Sequence, residues 1–135
     1  MNDISAKKLS RFVCVKNILP LVLPSKHYIP TVFPYSNNPA FSWNESNFGP
    51  LLVPVKGKLI KLNERTIKLY GRIIEAFEVN KLEVKNGTIF INDKQATAYK
   101  FKKNYYFVLS DNRSSKNDSR YFGFLPEDHV LGTAL

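Results

Sequence analysis

Along the chain, apolar positions are periodic after Leu62 and scattered among prolines before it. Ile67, Tyr70, Ile73, Ile74 and Phe77 recur at three- and four-residue spacing, with Lys68, Arg72 and Glu75 on the opposite side, which predicts a helix over 63–77. Asn63 is a favourable N-cap and Glu64 suits the first turn. Gly71 lies inside this helix, at a cost of about 1 kcal/mol relative to alanine. The period then falls to two. Leu82-Glu-Val84 and Ile89-Phe-Ile91 flank Asn86-Gly87, the signature of a type I′ hairpin. Ala98 to Phe101 and Tyr105 to Leu109 predict a second hairpin across Lys102-Lys103-Asn104, and Tyr121 to Leu125 and Val130 to Thr133 predict closing strands. The expected fold class is mainly β, antiparallel and partly barrel-like, with one helix.

The upstream half carries weaker signals. Met1 to Ser10 is polar and is expected to be disordered, and Phe12-Val-Cys-Val15 reads as a short buried strand. Seven prolines, at 20, 24, 30, 34, 39, 50 and 54, exclude a regular helix or central strand over 20–54. Tyr28, Phe33, Tyr35, Phe41, Trp43 and Phe48 recur within it, so the segment is expected to lie extended with its rings packed on a sheet; a peptide-binding groove is the alternative. Leu51 to Leu62 reads as two short strands or an extended arm turning at Lys56-Gly57.

Composition narrows the class. A chain of 135 residues, 44% hydrophobic and 13% aromatic, is one domain that folds by burial. Cys14 is the single cysteine, so no internal disulfide or cysteine-based zinc cage forms, and the separated His27 and His129 give no metal-ligand pattern; no cofactor is expected. A net charge of +9 suits an anionic partner, a membrane surface or nucleic acid, but the lysines are dispersed and accompany no nucleic-acid motif. The run Ile18 to Leu23 is short and contains Pro20, far from the ~20 residues a spanning helix needs. Lys16, Asn17 and Pro20 likewise interrupt any export signal, so the expectation is either a soluble piece of a longer protein or a short protein without an anchor.

Candidate chemistry concentrates in Leu109 to Gly132, where Asp111, Arg113, Asp118 and Arg120 stand between the apolar runs YYFVL and YFGFLP. Two carboxylates and two guanidinium groups on one loop can pair in bidentate fashion. The order Ser110-Asp-Asn-Arg-Ser-Ser-Lys-Asn-Asp-Ser-Arg120, then Tyr-Phe-Gly-Phe-Leu-Pro126 and Val-Leu-Gly132, resembles the C-terminal signature block of the bacterial type I signal peptidases. Asn47-Phe-Gly-Pro-Leu-Leu-Val-Pro-Val-Lys-Gly57 is similar to a strand entry found in some branches of that family. The resemblance runs from roughly Phe33 to Leu135, and more weakly from Ser10.

The resemblance implies a mostly β, membrane-associated serine peptidase with a Ser/Lys dyad, acting on signal peptides after small residues at the outer face of the cytoplasmic membrane. This sequence departs from the pattern at the chemistry. Its one methionine is Met1, so the family's Ser-Met nucleophile motif is missing. Ser10-Arg-Phe-Val-Cys-Val15 resembles the family's base strand with Ser10 where the lysine stands, and Lys116 replaces the serine that orients that lysine. Ser110 replaces a glycine. What matches is an ionic loop of Asp111, Asn112, Arg113, Asp118, Ser119 and Arg120, with Gly123, Pro126 and Gly132. The expectation is a domain without a catalytic residue of its own, partnered by signal peptides or an active signal peptidase. The rivals are a peptidase, as a fragment or using Lys116 as a relocated base with Ser10, Ser114 or Ser115, and a basic nucleic-acid-binding domain.

Overall fold

The computed structural model describes residues 3–19, 22–25, 27, 29–112 and 114–132. Its elements are α1 (Asp3–Leu9), β1 (Leu59–Lys61), α2 (Glu64–Arg72) with a π-helical turn over Ile73–Phe77, β2 (Leu82–Lys85), β3 (Thr88–Ile91), β4 (Lys94–Gln95), β5 (Ala98–Lys100), β6 (Tyr105–Tyr106), α3 (Ser119–Phe122) and β7 (Leu125–Pro126). The strands form three small antiparallel sheets, β1-β5, β2-β3-β4 and β6-β7, and no closed barrel is formed among the described residues.

The predicted helix starts as its sequence dictates. Asn63 Oδ1 accepts the Thr66 N–H at 2.9 Å and Thr66 Oγ1 accepts the Asn63 N–H at 2.8 Å, a reciprocal cap on two donors that the helix leaves open. Tyr70, Ile73 and Ile74 are buried on the expected face, joined by Leu69. Gly71 has a packing reason: a Cβ there would lie 3.3 Å from the Leu82 side chain. At the end, Glu78 N–H donates to Ile73 O, five residues back, which turns Glu78 inward. The Asn86-Gly87 hairpin also forms, with φ of 50° and 77° and Val84 opposite Ile89.

The second predicted hairpin does not form. β5 pairs with β1, placing Tyr99 opposite Ile60, whereas β6 pairs with β7. Buried Glu78 diverts the chain between them: its carboxylate accepts the Lys102 N–H at 2.9 Å, the Tyr99 hydroxyl at 2.5 Å and the Tyr105 hydroxyl at 3.1 Å. A carboxylate this deep needs such donors, and they come from both sides of the corner. Burial raises the pKa of both tyrosines, followed by the bond to Glu78 for Tyr99 and by the charge of Glu78 for Tyr105.

Four further expectations are corrected. Asp3–Leu9 is helical, not disordered, with Lys7 and Lys8 in its last turn where the dipole favours them. Phe12 to Val15 is not a buried strand: Phe12 and Val13 are exposed and Val15 N–H bonds back to Phe12 O, closing a turn in place of a ladder. Tyr121 to Leu125 is not a strand throughout, because Asp118 caps α3 and Gly123, at φ 84°, ends it before β7. Val130 and Leu131 are exposed and in no strand, while Thr133, Pro20, Tyr28 and Arg113 lie outside the described residues.

The proline-rich stretch packs only in part as the core reading expects, since Tyr35 is half exposed. Phe33, Phe41 and Trp43 are buried; Phe33 meets Phe124 edge-on at 5.5 Å, and Phe48 bridges Trp43 and Phe107. This layer carries the upstream segment onto the signature block.

Candidate functional site

The signature block is organised by Asp118, Ser119 and Arg120, all buried. Asp118 is the α3 N-cap, and its Oδ1 accepts the Arg120 N–H at 3.0 Å. The same carboxylate takes Arg120 Nε on both oxygens at 3.1 Å and Nη2 on Oδ2 at 2.8 Å, while the Ser110 N–H donates to Oδ2 at 3.2 Å. Ser119 then ties this turn to the preceding segment: its N–H donates to Val108 O and its Oγ accepts the Val108 N–H, both at 2.9 Å. A two-residue separation thus yields a chelated ion pair fixed at both backbone ends. Hydrogen bonds from Arg120 hold the Asp118 carboxyl below the usual range, and the same bonds hold the guanidinium more firmly protonated.

Two residues that sequence reasoning missed complete the cluster. Glu45 presents its carbonyl to Arg120 Nη1 at 3.3 Å and its carboxylate to the Tyr121 hydroxyl. Burial, and then this bond, pushes Tyr121 up to about 12. Phe33 donates its N–H to Arg120 O at 2.8 Å and lays its ring where a Gly123 side chain would go. The signal available for Glu45 was the Asn44-Glu-Ser-Asn47 run, which folds as an Asx turn: Asn44 Oδ1 accepts the Ser46 and Asn47 N–H groups.

Of the expected ionic loop, the described residues bring Asp118, Ser119 and Arg120 together. Asp111 and Asn112 are exposed, and Arg113 is outside the described residues. Lys116 is exposed on the loop. Ser10 is exposed as well, and its hydroxyl donates to Lys7 O in its own helical turn. Ser110 does not enter the left-handed region, so its backbone places no demand for glycine. Beside the ion pair opens a cleft of about 400 Å³ lined by Glu45, Phe48, Pro50, Leu51, Phe107, Leu109 and Arg120.

Comparison with known proteins decides the family. The family model described as signal peptidase, peptidase S26, matches residues 52–135, well over half of the chain. The chain belongs to the peptidase S26 family. It is 56% identical over 32 residues to a signal peptidase I of Buchnera aphidicola subsp. Schizaphis graminum, covering 24% of this chain and 10% of that protein. It is 48% identical over 31 residues to a signal peptidase I of Aquifex aeolicus, with 23% and 12% coverage, and 52% over 29 residues to a probable signal peptidase I-1 of Synechocystis, with 22% and 15%. The matches thus span about a tenth to a seventh of the curated relatives' length. No solved structure matches. The family match begins at Leu52, so Glu45 and Phe33 bind the S26 block from outside the matched region.

Proposed function

We propose that these 135 residues supply the scaffold of a signal-peptidase-type domain without a Ser/Lys dyad of their own, and that they act by binding a peptide segment or an active signal peptidase. The observation that carries this reading is the split within the signature block: the Asp118–Arg120 pair is buried, whereas Lys116, at the position of the family's base-orienting serine, is exposed. A lysine that deprotonates serine needs an apolar pocket to lower its pKa and a hydroxyl to aim its amine. An exposed loop offers no such pocket, which disfavours Lys116 as a relocated base. Exposed Ser10, bonded within its own turn, gives no nucleophile–base pair.

A serine-directed acylating probe tests this reading. No covalent adduct should form with the chain at neutral pH, since loss of members of a catalytic unit costs orders of magnitude in rate. Stoichiometric labelling that disappears in Lys116→Ala would refute it.

A further inference from the structure

We propose that the outer edge of β2 pairs with β2 of a second copy of the chain about a two-fold axis at Val84, joining the two β2-β3-β4 sheets into one antiparallel sheet. The hairpin's own bonding leaves that edge open. Across the Asn86-Gly87 turn, Lys85 lies opposite Thr88, Val84 opposite Ile89, Glu83 opposite Phe90 and Leu82 opposite Ile91. In an antiparallel pair, residues that exchange main-chain bonds alternate with residues whose groups face away. Two bonds fix which is which: Asn92 N–H donates to Lys81 O, and Ala96 N–H donates to Ile89 O, both at 2.9 Å. Lys81, Glu83 and Lys85 therefore bond to β3, while Ile89 turns its groups to β4. By the same alternation Leu82 and Val84 turn theirs to the far edge of β2, where no described residue bonds to them.

The side chains select the occupant and its register. Pairing two copies about Glu83 would set Glu83 against Glu83 and Lys81 against Lys85, like charges face to face. Pairing about Val84 sets that exposed valine against its own copy, and Glu83 of each chain against Lys85 of the other. Within one chain Lys85 Nζ already lies 2.6 Å from Glu83 Oε2, so the four charges alternate in sign around a ring. Hydrogen bonds from Lys85 and then Lys81 hold the Glu83 carboxyl below its usual range, which keeps it ionised at neutral pH. The neighbouring charges leave this ring intact: Lys81 lies 2.6 Å from Asp93 and 3.2 Å from Glu83, and the Phe90 ring lies beside Lys85 at 5.9 Å. In this register Leu82 faces Asn86 of the second copy, which the turn holds at φ 50°, so regular pairing ends there and the association is weak.

Sedimentation velocity of the whole chain tests the proposal, at about 0.15 M salt, where the net charge of +9 is screened beyond about 8 Å. An interface this far below standard size predicts half-dimerisation at about 0.1–1 mM chain. Glu83→Lys and Lys85→Glu should each weaken self-association about tenfold or more, since both cross-strand pairs become like-charged. Mixed in equal amounts, those two variants should associate as the parent does, because each inserted charge meets its opposite. Val84→Asp sets two carboxylates on the axis at an exposed position and should leave a monomer; it keeps the test decisive where a charge-reversed hairpin fails to fold. A parent chain that stays monomeric at about 1 mM overturns the proposal. So does a dimer indifferent to Val84→Asp, and so do folded single variants that associate no better mixed than apart.

Discussion

Replacing Asp118 by alanine should be among the most damaging single changes in the chain. Asp118 is 1% exposed and Arg120 4%, so neither charge is screened by water. Without the carboxylate, Arg120 loses the partner of its Nε and Nη2, and the N–H groups of Ser110 and Arg120 lose their acceptor as well. Breaking a buried pair from one side costs about 3–5 kcal/mol, and the lost N-cap, worth about 1 kcal/mol alone, is contained within that figure. Against a domain stability of about 5–15 kcal/mol, that is about a fifth of the total at the least. Urea titration by circular dichroism reads it as a fall in midpoint at unchanged slope. Asp118→Asn keeps an acceptor for the cap and should lose less. The double variant Asp118→Leu/Arg120→Met leaves no orphaned charge and should be more stable than Asp118→Ala. A loss below about 1 kcal/mol for Asp118→Ala, or a double variant no better than the single, would refute the reasoning.

Gly123→Ala should destabilise by about 2–4 kcal/mol, since its Cβ would fall 2.8 Å from the Phe33 ring at φ 84°; thermal unfolding checks it, and a change within 0.5 kcal/mol, about the level of a neutral surface substitution, counts against it. Acid titration should show stability that is full above the unfolded carboxylate pKa of about 4 and is lost as pH falls through the lower value Asp118 has when folded, with a shallower acid limb in Asp118→Asn. In alkali the sign reverses: Tyr121 ionises at about 12 in the folded chain against about 10 unfolded, so its contribution is complete below pH 10 and declines from there to pH 12, a fall that Tyr121→Phe should reduce.

Local patterns wrote the helix, its cap and the Asn86-Gly87 hairpin legibly into the sequence, because each depends on neighbours a few residues apart. The β5-β6 corner was not legible: Tyr99 and Tyr105 read as facing strands, yet a carboxylate from the far end of the helix gathers both hydroxyls, a contact over more than twenty residues. Asp118 and Arg120 were found as charges clustered between two apolar runs and Ser119 through the family resemblance, and their depth shows why that order of residues matters: the acid caps, the serine bridges and the arginine chelates. Glu45 and Phe33 escaped notice because prolines and aromatics announce packing without saying onto what. The strands' shortness also misled: β6 stops at Tyr106 although the apolar run reads on to Leu109, and α3 with Gly123 takes most of the run Tyr121 to Leu125 that precedes β7.

Cleavage of a membrane-anchored preprotein by the purified chain tests the central claim most directly, run alone and together with an active signal peptidase. The account predicts no product from the chain alone, and a changed rate of processing by the active enzyme when the chain is added. Product formed by the chain alone, and lost in Lys116→Ala or Ser10→Ala, would contradict it.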